Sequence, residues 1–172
     1  MIQKRHFDPL TVILGRPTTA KFKSLWKNYL WQSSVAVLIL FAALLFLTAR
    51  DIVIITSIGA TAFIVFTMPF SIAAQPRSVI GGHLIGLSCG AISTFLPHSL
   101  VFPPVINYSI AVGVSIFLMV ATDTEHPPAS GTALGVAMSG FSSSVLIAVV
   151  ASATSMSLAH YLLKRHMKKL TR

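Results

Sequence analysis

Apolar positions in this chain fall in long unbroken runs, not in the alternation of a half-buried strand or the narrow stripe of a surface helix. Residues 31–49 carry no charge. As a helix they are about 28 Å long, close to the roughly 30 Å hydrocarbon core of a bilayer. Residues 79–96 and 105–121 predict two more spans. The stretch between the first two is less regular. It opens with the β-branched Ile52, Val53, Ile54 and Ile55 and continues through Ser57 and Gly59. This predicts extended backbone over 51–57 and a half-helix over 58–69. Residues 131–163 would make a helix of about 50 Å, too long for one crossing and too short for two. They divide into a half-helix at 131–139, a break at 140–144 and a full span ending at Leu163.

The two halves of the chain therefore read alike. Each has a full span, an irregular opening, a short helix and a second full span. The short helices also share a small-residue string, Ser57-Ile-Gly-Ala-Thr-Ala-Phe63 in one and Ala129-Ser-Gly-Thr-Ala-Leu134 in the other. The predicted fold is an all-α polytopic membrane bundle: four full transmembrane helices plus two broken or half-helices, in two internal repeats. Fully crossing short helices would make the second repeat inverted relative to the first. Re-entrant ones would make the repeats parallel, and the crossing form is preferred.

Composition agrees. Of 172 residues 54% are hydrophobic and 10% charged, and mean hydropathy is +0.79; soluble domains carry about 25% charged residues. The net charge of +9 is placed at the two ends. Lys4, Arg5, Arg16, Lys21, Lys23 and Lys27 precede the first span, and Lys164, Arg165, Lys168, Lys169 and Arg172 follow the last. Between them stand only Arg50 and Arg77. That distribution fits the positive-inside rule in a cell (inner) membrane with both termini cytoplasmic. It does not suggest nucleic-acid binding. The division is a basic arm over 1–28, a transmembrane domain over 29–163 and a basic tail over 164–172. No cleavable signal peptide is expected. The single cysteine, Cys89, reads as a packed apolar residue.

Candidate chemistry gathers at the two breaks. A helix N-terminus leaves about four N–H groups unpaired and carries partial positive charge. Two such ends near the midplane would cradle a small anion. Ser57, Gly59, Ala60 and Thr61 would line one end, and Ser130, Gly131 and Thr132 the other. The same residues also permit close helix packing without binding anything. In Asp123-Thr-Glu-His-Pro-Pro128, Pro127 forces His126 out of the helical region, and Pro127 and Pro128 lack N–H donors. His126 could carry a proton, gate a route or pin the break through a carbonyl. His83, inside a regular span, is a pathway candidate or a satisfied packing residue. Arg77 could draw in an anion or anchor the interface. Asp123 and Glu125 face water or pair with Arg77 or His126. His98, His160 and His166 lie at or beyond span ends and receive no role. Gly81, Gly82, Gly86 and Gly90 allow another helix to come close. Neither a metal-ligand spacing nor a nucleophile with its base is present, so no catalytic residue, metal or cofactor is expected.

The string Glu125-His-Pro-Pro-Ala-Ser-Gly-Thr-Ala-Leu134 resembles the motif of the HPP family of integral membrane proteins. Ser57–Phe63 followed by Gln75-Pro-Arg-Ser-Val-Ile-Gly-Gly-His83 is similar to the family's other motif region. The resemblance extends over about residues 25–165. It implies four transmembrane helices and a transport role, and for plastid and cyanobacterial members nitrite. It includes no appended soluble regulatory domain. The expectation is a transporter or channel for a small monovalent anion, nitrite first. The alternatives are a non-transporting membrane scaffold and a route for small neutral solutes. The partners are the lipid bilayer, the anion and, because the bundle is small, further copies of the chain.

Overall fold

The computed structural model describes residues 19–45, 52–96 and 103–171. These form six α-helices: α1 (Thr19–Leu44), α2 (Ile52–Thr67), α3 (Pro76–Ser93), α4 (Pro104–Ala121), α5 (Pro127–Ser139) and α6 (Ser143–Leu163). A single 3-10 turn, Ile72–Ala74, links α2 to α3, and no strand occurs among the described residues.

Side-chain polarity is distributed inside out. Val105, Ile110, Phe117 and Val120 of α4 and Leu30, Leu38 and Phe41 of α1 are exposed, while Gln32, Thr61, His83, His126 and Thr132 are buried. Such a surface is what lipid requires and water penalises. Helices α4 and α6 are long and apolar enough to cross a membrane on their own composition. Helix α3 equals α4 in length. It turns Ser78, Gly82, His83, Gly86, Gly90 and Ser93 inward and leaves Arg77 and Ser88 exposed. Helix α5 has 13 residues, about 20 Å, and is shorter than a bilayer core.

The short α5 sits at the centre. Gly86 of α3 lies against Ala129, and Gly90 against Ala133 and Val136. The register rises on both helices, so α3 and α5 run parallel. A Cβ on Gly90 would stand 2.7 Å from the Ala133 carbonyl oxygen, so only glycine permits this approach. Helix α2 runs antiparallel to α5: Ser57 meets Pro128 and Thr132, while Ile54 meets Gly135. Ile54, Ile58, Val65, Phe66, Val136, Val149 and Met156 fill the apolar core among α2, α5 and α6.

Two boundaries differ from the sequence expectation. Helix α2 begins at Ile52, not at 58; residue 51 is outside the described residues. Packing overrides the β preference of Ile52–Ile55. Ile54 and Ile58 are buried on one helical face, and in an apolar setting the helix satisfies its own backbone. Helix α5 begins at Pro127, not at 131, because prolines suit the first helical turn, where N–H groups have no intrahelical acceptor. The break before α6 narrows to Gly140–Ser142. Gly140 has φ 88°, and the Ser142 hydroxyl accepts from the Val145 N–H at 3.2 Å. The arm expected over 1–28 lies outside the described residues up to position 18; from Thr19 it is already part of α1.

The chain after α6 folds back. Met167 and Leu170 are buried, and the Leu170 N–H donates to the Thr67 carbonyl at 2.9 Å. Gln32 of α1 holds this segment. Its amide nitrogen donates to the carbonyls of Phe66 and Lys168, and its oxygen accepts from the Lys168 N–H at 3.0 Å. Tyr29 donates to the Leu170 carbonyl at 3.2 Å. The basic tail is therefore docked where α1 passes the end of α2. His160, given no role from sequence, is buried in α6 and donates from Nε2 to the Pro69 carbonyl at 2.7 Å.

Candidate functional site

The stop after α4 positions the first functional side chain. Asp123 adopts φ 53°, and the Thr124 N–H reaches back to the Met119 carbonyl at 2.9 Å. This is a Schellman-type ending with aspartate in the left-handed position. Arg77 donates to the Thr122 carbonyl at 2.8 Å and so caps the same helix end. The chain then runs extended to His126 (φ −137°, ψ 91°), the residue before α5. Pro127 imposes that conformation, as the sequence predicts.

From there the His126 Nδ1 donates to the Ala73 carbonyl of the 3-10 turn at 2.7 Å. Its Nε2 lies 2.9 Å from the Thr61 hydroxyl of α2. The same hydroxyl lies 2.9 Å from Nε2 of His83 on α3. Nδ1 of His83 is 2.9 Å from the Thr132 hydroxyl of α5, and Thr132 is 2.9 Å from the Ser57 hydroxyl. Ser57 in turn donates to the Pro128 carbonyl. The two imidazole centroids are 5.1 Å apart. All five side chains are at most 4% exposed. Three helices thus share one continuous buried hydrogen-bonded chain, a constellation that is costly unless every member is satisfied.

Each histidine also borders a cavity. His126 lines one of about 230 Å³ with Ile116, Met119, Glu125, Pro127 and Ser130. His83 lines a second, about 50 Å³, with Leu84 of its own helix and Val149, Ala153 and Thr154 of α6. The only polar connection between the two that these bonds provide is Thr61.

The sequence candidates separate accordingly. Ser57, Thr61, His83, His126 and Thr132 come together, with Pro128 supplying an acceptor and Pro127 the break. Gly131 lies beside them; a Cβ there would meet the Ser57 Cβ at 3.3 Å. Ser130 turns its hydroxyl onto the Pro127 carbonyl at 2.7 Å and stays out of the chain. Gly59 has open space around it and Ala60 is exposed; neither joins the hydrogen-bonded chain. Arg77 is exposed and serves the end of α4. The paired helix-start cradle is not formed. Ser57 and Thr61 lie inside α2, where N–H groups are already used. At α5, Pro127 and Pro128 have no N–H, and that of Ala129 donates to the His126 carbonyl at 2.9 Å. Among the described residues no group of three metal-ligating side chains occurs, and Cys89 is a free buried thiol.

An apolar exterior around a buried histidine–threonine core defines an all-α integral membrane protein. A family model described as "HPP, transmembrane region" matches residues 21–170. The chain belongs to the HPP transmembrane family. It is 33% identical over 113 residues to a Dictyostelium discoideum protein named "Transmembrane protein DDB_G0269096", covering 62% of this chain and 39% of the relative. It is 30% identical over 115 residues to "Transmembrane protein DDB_G0273707/DDB_G0273361" of the same organism, covering 63% and 36%. The chain thus spans well under half the length of these curated relatives. No solved structure matches it.

Proposed function

We propose that the chain is a transporter or channel for a small monovalent anion, nitrite first, with His83, Thr61 and His126 as the polar step of its route. One observation carries this reading: the two histidines border separate cavities and are joined through a single threonine hydroxyl. Polar groups buried between membrane helices are costly and mark pathways. In this reading α1, α3, α4 and α6 are full spans, and α2 and α5 are the short central elements of two inverted repeats. The opposite directions of α2 and α5 support the inversion. The docking of residues 167–170 beside Gln32 and Thr67 supports both chain ends lying on one side, the cytoplasmic face of the inner membrane. The protein acts on its substrate by passage, without catalysis, and the apolar face of α4 suits lipid or a second copy.

Nitrite uptake into liposomes containing the purified chain tests the reading. Thr61→Leu and Thr132→Leu should each abolish uptake while the protein still unfolds cooperatively on heating. Uptake at the wild-type rate in both variants sinks the proposal. A non-transporting scaffold is the second reading. It is favoured by the hydroxyls of Ser57 and Thr132 being spent on each other, and it predicts no uptake from the wild type either.

A further inference from the structure

Building on the anion-transport reading, we infer that the anion crosses together with one proton, and that His126, Thr61 and His83 carry that proton. The first ground is charge. With no helix-start cradle formed, holding a lone anion in this interior without a countercharge is costly. None of the five network residues is fixed as a cation. Arg77, the charged donor closest in sequence, is exposed and spent on the Thr122 carbonyl. The countercharge available in the network is a proton on an imidazole.

The second ground is a proton count. Seven donor–acceptor contacts join the network: Ser57 to the Pro128 carbonyl, Ser57 with Thr132, Thr132 with His83, His83 with Thr61, Thr61 with His126, Thr61 to the Ser57 carbonyl, and His126 to the Ala73 carbonyl. Three hydroxyls and two neutral imidazoles provide five protons, so two of the seven bonds go unmade. One added proton raises the number made to six with no heavy atom moving. Donors then point one way: His126 Nε2–H to Thr61, Thr61 to His83 Nε2, His83 Nδ1–H to Thr132, Thr132 to Ser57, Ser57 to Pro128. In a single step His126 gives its Nε2 proton to the Thr61 oxygen, and Thr61 gives its own to His83 Nε2. The positive charge moves from one ring to the other, from the larger cavity to the smaller, and the proton inventory is unchanged.

The surroundings are consistent with this. Facing the pair are Ser57 and Thr61 from α2, Thr132 from α5 and the Ala73 carbonyl from the 3-10 turn. Met119 and Thr124 adjoin the junction of Gly82 with His126 from the α4 side. Thr154 faces the His83 cavity from α6. Glu125 is the charged side chain that lines the same cavity as His126.

The test uses liposomes holding the full chain, an internal pH-reporting dye and an inward nitrite gradient, with protein-free liposomes recording passive passage of nitrous acid. The expected result is one proton entering per nitrite, with a rate unchanged when potassium and valinomycin set the membrane potential. Thr61→Val should cut coupled entry by about 100-fold or more, the usual scale of a positioned proton-transfer group, and Thr61→Ser should restore it. Nitrite entry without acidification, accelerated by an inside-positive potential, overturns proton coupling and leaves anion transport standing. No nitrite entry above protein-free liposomes overturns both. Coupled entry at the wild-type rate in Thr61→Val removes the relay. Should that variant fail to fold, the wild-type stoichiometry still decides the coupling.

Discussion

Adding one methyl group at Gly86 should undo the site from outside it. The Cβ would stand 3.1 Å from the carbonyl carbon of Ala129 and closer still to its oxygen, whereas ordinary contact begins at 3.4 Å. Both atoms are backbone, so α5 itself has to retreat, by about 1 Å. The hydrogen bond from His83 to Thr132 is 2.9 Å; stretched by that amount it is no longer a bond. Overpacking costs about 1–3 kcal/mol, and a lost buried hydrogen bond about 1–3 kcal/mol more. Alanine returns about 1 kcal/mol through helix propensity. Gly86→Ala should therefore be destabilised by roughly 1–5 kcal/mol. Gly59→Ala, with nothing within 4 Å of the added Cβ, should keep the propensity gain of about 1 kcal/mol. Thermal unfolding in detergent, followed by helical circular dichroism, reads both. A Gly86→Ala variant as stable as Gly59→Ala would refute the close approach of α3 to α5.

Three further substitutions separate structural from functional roles. Gln32→Leu removes the clamp on residues 167–170 and should let trypsin cut at Lys168 and Lys169 faster than in wild type; an unchanged cleavage rate would show that the tail does not depend on Gln32. Ser57→Ala removes the buried hydroxyl that bonds both the Pro128 carbonyl and Thr132 and should cost about 1–3 kcal/mol in thermal unfolding; a neutral result would mean that these groups do not depend on it. Arg77→Gln touches an exposed cap, so stability should change by about 0.5 kcal/mol or less and nitrite uptake should hold. A tenfold loss of uptake would return Arg77 to the pathway.

What could be read in advance was local. The glycine spacing in α3 announced that some helix would come close. His126-Pro-Pro128 announced an extended residue followed by a helix, since proline acts on its immediate neighbour. Ile52–Ile55 misled for the complementary reason. A β-branched run expresses a weak local preference that burial of Ile54 and Ile58 outweighs. Gln32 and His160 gave no warning, because their acceptors, the Phe66 and Pro69 carbonyls, lie 34 and 91 residues away.

The sequence by itself determined that this is a membrane protein, roughly where its helices begin and end, and that His126-Pro-Pro128 separates two of them. Those features depend on how residues a few positions apart meet lipid and backbone. Tertiary structure decided which of the small polar residues act together. Thr61 meets His83 and His126 across 22 and 65 residues, and Gly59 and Ala60, close beside it in sequence, meet neither. A helix turns its side chains about 100° per residue. Which of them reaches the interior depends on the register of α2 against α3 and α5, and that register is set by packing over the whole bundle.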